Sequence, residues 1–500
     1  MLLSQLIGQT PGVLEVRGDA SVDISALITD SRQGGSIEGG LFFCIAGEKF
    51  DSHNVAPAVV ERGVAALIVD HFLPGLSVPQ VKVSNMRAAI CHISAAFYGY
   101  PGRGMTFAGI TGTKGKTTTT YLLKAILDKA GHESGLIGTT GALFKGKLIP
   151  SSLTTPDPAD LHKLLRQMAD EGVKYVAMEV SANAVDQSRL DGLMFEVAAF
   201  TNISQDHLDY FHTMDKYWQT KKNFFVKEHV RAASFNADDE YAERMMSGLD
   251  IPSMTYGIRV ESDLTARDIE INESGVSFLM CLRGSDPIHI NLRVPGTFNV
   301  YNSMTAASLA LMLGIGMDKI KEGLESITAI PGRVEMLDTN TPYKVMLDYS
   351  HSPAALESIL IVCREFTKNR LICVFGCGGD RDREKRPIMG EISGRLADYS
   401  ILTSDNPRGE DPLDILDAVE DGIKTTGAPY IIIENRREAI RRAMRMAGEG
   451  DMIVLAGKGH ETYQEIKGKK IHFDEKEVVA ELLREVSLSD KANADVEAGI

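Results

Sequence analysis

Residues 109–119, Gly109-Ile-Thr-Gly-Thr-Lys-Gly-Lys-Thr-Thr-Thr119, decide the reading of this chain. The apolar run Met105–Ile110 leads into a glycine-rich turn. A helical pattern follows, with Leu122, Leu123, Ile126, Leu127 and Ala130 on one face and Gly131 as its stop. Strand, loop and helix in that order make a phosphate cradle. Gly112 and Gly115 let backbone N–H groups crowd around phosphate oxygens, with Thr113, Lys114 and Thr118 beside them. The helix N-terminus adds partial positive charge, Lys116 reaches the β- and γ-phosphates, and Thr117 can hold Mg²⁺. The spacing departs from strict G-x-x-x-x-G-K-T, because position 110 is Ile and the nearest glycine is Gly109. A glycine-rich surface turn is the plain alternative, and the flanking strand and helix speak against it.

Outward from the loop, apolar strands recur between helical stretches: Tyr175–Val180 and Val197–Phe200, then Leu371–Phe375, Tyr430–Ile433 and Met452–Ala456. Such alternation predicts an α/β fold with mostly parallel sheets. Residues 264–294 read as β-rich instead, with apolar and polar residues alternating. The 500 residues suggest three domains: a small α/β unit at 1–104, a central P-loop unit at 105–330 and a third α/β unit at 331–500, frayed from about 488.

A net charge of −15 argues against general affinity for nucleic acid or anionic membrane. No run of apolar residues is long enough to span a bilayer, and the N-terminus lacks a basic signal region. Six cysteines without metal-ligand pairing fit a reducing cytoplasm, and a monomer is expected.

Ligands of open parallel sheets bind beyond the carboxyl ends of the strands. There the chain places Glu179-Val-Ser181, Asp206-His207, Asp348-Tyr-Ser-His351, Gly376–Asp382, Ser404–Arg408 and Gly457–Glu461. One site between two sheets, with nucleotide on one side, is the economical reading. Glu179 and His207 can complete an Mg²⁺ site with Thr117, although a helix cap would also explain Glu179. Arg381 and Arg408 sit in short polar turns suited to bidentate carboxylate recognition, or to a surface salt bridge. Lys221 and Lys222 lie in a helix-like run, where an exposed lysine pair is the default reading.

With these motifs together the sequence resembles the Mur ligase family, ATP-dependent enzymes that add amino acids to UDP-N-acetylmuramoyl peptides. The resemblance runs from Asp30-Ser-Arg32 to Gly457-Lys-Gly-His-Glu461. It implies a UDP-binding domain, an ATPase domain and a Rossmann-like C-terminal domain. It implies that Ser31 contacts the uridine diphosphate end, and that Thr154, Thr155, Ser181, Gln187 and Arg189 hold the muramoyl peptide. Lys221 aligns with the lysine that relatives carbamylate with CO₂, giving N6-carboxylysine as a metal ligand beside Thr117, Glu179 and His207. Asn299, Asn302, Arg333 and Asp348 match nucleotide contacts. Asp405-Asn406-Pro407-Arg408 looks like the mark of the diaminopimelate-adding branch, with Arg381, Gly457 and Glu461 completing the amino-acid pocket. The implied reaction is ATP-driven amide formation through an acyl phosphate, with catalysis by Lys116, Lys221, His207 and Glu179, in peptidoglycan precursor synthesis.

The chain departs from its relatives at three places. Ser181-Ala-Asn-Ala184 replaces Ser-Ser-His-Gly, Asp51-Ser-His53 replaces Asp-Gly-His near the uracil site, and Lys114 replaces Asn. Rival readings are a family member adding L-lysine or another amino acid, a folylpolyglutamate synthase, and a silent nucleotide-binding regulator. The last is disfavoured by Lys116, Glu179, His207 and Lys221 being present together.

Overall fold

The computed structural model describes residues 1–32, 36–47, 50–151, 153–272 and 275–485. The tail expected to fray from about 488 lies outside the described residues. Three sheets carry the chain. The first has five strands in the order Val13–Arg17, Gln80–Val83, Ala66–Val69, Gly40–Phe43, Ala26–Ile28. All its pairings are parallel except the first.

The central sheet has eleven strands. Thr106–Thr111 lies in its middle, parallel to Phe195–Phe200 on one side and Tyr175–Glu179 on the other. Gly109 sits in this strand because Phe224 and Phe195 press on it; an added Cβ would stand 2.8 Å from the Phe224 ring. The β-rich segment 264–294 is an antiparallel continuation of this sheet. Leu264–Asn272, Gly275–Leu282 and Ile288–Leu292 extend the same sheet as a meander. The hairpin Gly141–Phe144 and Lys147–Ile149 closes the other edge, and periodicity alone did not pick it out.

Helix Lys116–Lys129 leaves the phosphate loop and buries Leu122, Leu123, Ile126 and Leu127. Its packing is close: Gly323 of helix Met317–Ser326 rests on Ile126, where a Cβ would come within 2.4 Å of the backbone. Each such buried aliphatic side chain contributes about 1.5–3 kcal/mol. The loop is therefore anchored on a rigid element.

The third sheet runs Glu335–Leu337, Lys344–Asp348, Met452–Ala456, Leu371–Phe375, Tyr399–Leu402, Tyr430–Ile432. Five strands are parallel and the first is antiparallel. Leu371–Phe375 and Met452–Ala456 are buried throughout, as expected of parallel strands covered on both faces. The α/β fold class expected from sequence is the one observed. A short hairpin, Tyr463–Ile466 with Lys469–His472, follows the last of these strands. No described helix is long and apolar enough to cross a membrane.

Candidate active site

The carboxyl edges of the central and third sheets face one another across a cleft of about 440 Å³. The central rim supplies Thr113 to Thr118, Thr139, Thr154, Glu179, Asp206, His207 and Asn302; the opposite rim supplies Arg333, Asp348, Tyr349, Ser350 and His351.

The phosphate loop takes the shape its glycines allow. Gly112 has φ +145° and packs on Thr201, where any Cβ would fall 1.9 Å from the hydroxyl oxygen; Gly115 has φ +86° and lies against Asn302. Lys116 Nζ donates to the carbonyls of Gly112 and Thr113 at 2.9 and 3.0 Å. Burial, with Lys114 and Arg333 nearby, pulls its ammonium down to about 8, against the pull of Glu179 and Asp206. A cation desolvated in this way gains most from an anion placed beside it.

Glu179 is 1 % exposed. It accepts from the Thr139 N–H at 2.9 Å and the Thr139 hydroxyl at 3.1 Å, and forms no ion pair among the described residues. A buried carboxylate facing a cleft is costly without a cation. Thr117 and His207 line the same space, so the donor set of hydroxyl, carboxylate and imidazole fits Mg²⁺. Burial lowers the pKa of His207, and the cations Lys221 and Lys116 lower it further against Asp206, which favours the neutral imidazole that a metal needs.

Lys221 is not the exposed lysine that its helix suggested. It is 1 % exposed, its Nζ donates to Gly112 O at 2.9 Å, and it lies 4.7 Å from the Tyr217 ring centroid. It therefore stands behind the phosphate loop and outside the cleft lining. Burial, with repulsion from Lys116 and Lys114, drives its ammonium far below the usual lysine range.

Asn302 reaches the cleft, whereas Asn299 stands behind it, accepting from the Asn302 amide at 3.0 Å and donating to Pro295 O. Arg333 crosses from the third sheet to donate to Thr117 Oγ1 at 3.1 Å. Asp348 accepts from Val334 N at 2.9 Å and from the Ser350 hydroxyl.

The residues matched to the muramoyl peptide form one cluster. Thr154 meets Thr139 at 3.1 Å, and Thr155 Oγ1 bridges Glu179 O and Ser181 N. Arg189 donates to Thr155 O and to Gln187 Oε1 at 2.8 and 2.6 Å. Ser181 caps the short helix Ala182–Asp186, and that chain carries the departures Asn183 and Ala184. Ser31 is elsewhere: it follows strand Ala26–Ile28 in the first sheet, outside the cleft lining.

The amino-acid motifs also converge. Asn406 donates to Glu461 Oε2 at 2.8 Å. Gly457 has φ +114°, and a Cβ there would fall 2.5 Å from Asp405 Oδ2. Pro407 closes on Gly379, and Arg408 and Arg381 both lie beside Gly378. Arg408, itself at φ +51°, already faces Glu465 at 3.5 Å and donates to Gly379 O at 2.8 Å. Arg381 is exposed and donates to Asp380 O.

Sequence reasoning passed over several residues and, for Lys114, the contact it makes. Lys458, fully buried, pairs with Glu461 at 2.9 Å and donates to Asn406 Oδ1. Its place inside Gly457–Glu461 was the available signal. Thr139, at the end of strand Ser134–Gly138, fixes Glu179. Lys114 ties the two rims by pairing with Asp206 at 3.1 Å and donating to Ser352 Oγ at 2.5 Å; no local pattern could show that contact. Arg259, Asp238 and Tyr301 line the far end of the cleft. Cys373 and Cys377 are free, buried thiols with no metal-ligand arrangement among the described residues.

The Mur ligase middle domain matches residues 110–310, and the Mur ligase glutamate ligase domain matches residues 332–459. UDP-N-acetylmuramoyl-L-alanyl-D-glutamate--2,6-diaminopimelate ligase 1 of Clostridium acetobutylicum is 43% identical over 491 residues, covering 97% of this chain and 100% of that one. A ligase of the same name from Caldanaerobacter subterraneus subsp. tengcongensis is 42% identical, covering 94% and 97%. A solved structure of a UDP-N-acetylmuramoyl-L-alanyl-D-glutamate--2,6-diaminopimelate ligase superposes with a TM-score of 0.67 at 28% identity, covering 97% and 99%. By these matches, and by a cleft built on the phosphate loop, the chain belongs to the Mur ligase family.

Proposed function

We propose that this chain is an ATP-dependent ligase that joins meso-2,6-diaminopimelate to the D-glutamyl carboxylate of UDP-N-acetylmuramoyl-L-alanyl-D-glutamate. The observation that carries this reading is the pairing of the two rims across one cleft: a desolvated Lys116 cation on one side and the Asn406–Glu461–Arg408 cluster beyond the other. The relatives described above bear the name of this activity over nearly their whole length.

The central rim activates the acid. Lys116 and the loop N–H groups hold the γ-phosphate in line for attack by the D-glutamyl carboxylate, forming an acyl phosphate and ADP. Thr117, Glu179 and His207 would hold Mg²⁺, which would supply neutralising charge for the phosphates. Thr154, Thr155, Ser181, Gln187 and Arg189 orient the peptide; Asn302, Arg333 and Asp348 orient the nucleotide. Lys114, Arg333 and the residues they touch hold the rims together, which keeps water from the acyl phosphate. The amine of the incoming amino acid then attacks the acyl carbon, and phosphate departs.

Lys221 is assigned as N6-carboxylysine. Only a neutral amine adds to CO₂, and burial, with Lys116 nearby, shifts this one toward the neutral form. The carbamate would also replace repulsion between Lys221 and Lys116 by attraction. Glu461 and Arg408 are assigned to the distal ammonium and carboxylate of diaminopimelate, with Asp405, Asn406, Pro407, Gly457 and Arg381 shaping the pocket.

Phosphate release in the presence of ATP, Mg²⁺ and the UDP-muramoyl dipeptide tests the reading. Release should rise sharply when diaminopimelate is added and little when L-lysine is added. Equal stimulation by lysine would overturn the amino-acid assignment; no stimulation by any amino acid would overturn the ligase reading.

A further inference from the structure

The first sheet carries a cluster that the cleft does not use. Strands Gly40–Phe43 and Ala66–Val69 are parallel neighbours, so the segments that follow them emerge side by side. One brings Asp51 and His53; the other brings Asp70 and His71. His53 is 4% exposed and its ring is fixed from behind. Its backbone N–H donates to Asp51 Oδ1 at 2.9 Å, and its Nδ1 lies 2.6 Å from the same oxygen. With Nδ1–H donating to that carboxylate, the neutral tautomer presents Nε2 as a free ligand atom.

Nε2 is buried without a hydrogen-bond partner among the described residues, and it lies 3.2 Å from Asp70 Oδ1. Two acceptors facing each other at that distance call for something positive between them. His71 Nδ1 meets the same Asp70 oxygen, and the two imidazole rings stack with centroids 4.5 Å apart. One ligand atom from each of His53, Asp70 and His71 lies within 4.8 Å of the other two.

We propose that His53, Asp70 and His71 bind one divalent transition-metal ion of the zinc class, with Asp51 as the outer carboxylate. Tetrahedral zinc with bonds of about 2.0–2.1 Å sets its ligand atoms about 3.3 Å apart, and the His53–Asp70 separation of 3.2 Å already matches. His71, whose Nδ1 now contacts the Asp70 oxygen directly, has an exposed side chain free to rotate a ring nitrogen to ligand distance. Two imidazoles and one carboxylate favour zinc, cobalt or nickel over the oxygen-seeking Mg²⁺. Asp51 bonded to the far nitrogen of His53 is the outer-carboxylate arrangement that orients metal-bound histidines. Water fills the fourth position. The ion would pin the segment after Gly40–Phe43 to the segment after Ala66–Val69, at the same sheet edge as Ser31.

Titration of the full chain with CoCl₂ in excess MgCl₂ tests this, because Mg²⁺ occupies the oxygen-rich site and Co²⁺ reports tetrahedral nitrogen ligation by its visible absorption. One equivalent should bind with tetrahedral-intensity bands and be displaced by ZnCl₂. His71→Ala and Asp70→Asn alter exposed side chains and should each weaken binding at least about tenfold; Asp51→Asn should weaken it about 10–100-fold. Absence of the bands in the wild type, or equal binding by wild type, His71→Ala and Asp70→Asn, would overturn the proposal and leave His53 as a charged partner of two carboxylates.

Discussion

The two rims of the cleft handle charge in opposite ways. On the central rim the important side chains lean on backbone: Lys116 and Lys221 both donate to the Gly112 carbonyl, and Glu179 accepts from Thr139. None of these three forms an ion pair among the described residues, although Glu179 and Asp206 pull on Lys116 from further off and Lys114 beside it is paired with Asp206. On the third-sheet rim the charges answer one another: Lys458 with Glu461, Arg408 with Glu465, Arg436 with Glu475. Asp405 fits the same pattern; burial raises its carboxyl, and Lys458, Arg436 and His351 outweigh that and hold it low. The first rim is electrostatically unfinished and suits phosphates and a metal ion. The second is pre-paired and suits a zwitterion, which exchanges partners charge for charge.

The largest effect expected from this contrast is at Lys116. Lys116→Ala should leave the fold intact and lower kcat about 10²–10³-fold, the usual loss when one preorganised charge is removed from a transition state. Near-normal turnover in a folded variant would show that the central rim is not the phosphate site. Lys221→Ala should also lose activity, and short carboxylic acids should restore part of it by standing in for the carbamate. An unmodified Lys221 in the working enzyme, shown by intact mass, together with a fully active variant would refute its assignment.

Arg408 sharpens the other side. With lysine as substrate its guanidinium has no distal carboxylate to meet, and a buried charge without its partner costs about 3–5 kcal/mol. Arg408 is 22% exposed and retains Glu465, so the penalty is smaller. Discrimination against lysine of about 10²-fold in kcat/KM is expected, at about 1.4 kcal/mol per tenfold. Arg408→Ala should lose most diaminopimelate activity and most of that discrimination. A variant that keeps both would move the selectivity elsewhere in the pocket.

The smallest effect is a pH dependence. Lys116 is held at about 8 by burial, so its cation is present below that pH and lost above it. kcat/KM for ATP, which reports the free enzyme, should fall as pH rises through about 8. A profile flat to pH 10 would place a different cation at the phosphates.

This contrast also explains what the sequence disclosed. The phosphate loop is read from eleven adjacent residues, because glycine, lysine and threonine there act where the chain places them. Glu179 and His207 follow once strand ends are known. The third-sheet rim names its members as motifs but hides their pairing: Lys458 went unnoticed within a quoted motif, and nothing in the motif around Arg408 points to Glu465 as the carboxylate that faces it. For Lys221 the helical run alone offers an exposed lysine pair and the family resemblance a site residue; periodicity cannot tell a solvated lysine from one driven against a loop carbonyl, and the structure buries it there. Lys114 to Ser352 joins segments far apart in the chain, and only the folded molecule reveals it.

The central claim is that the first rim activates the D-glutamyl carboxylate as an acyl phosphate and the second delivers the amine. Labelling that carboxylate with ¹⁸O tests it directly. If the carboxylate attacks the γ-phosphate and phosphate later leaves from the acyl carbon, the released phosphate should carry one ¹⁸O from the peptide in each turnover with diaminopimelate. Unlabelled phosphate, with the displaced ¹⁸O appearing in water and one label kept in the amide, would contradict the account.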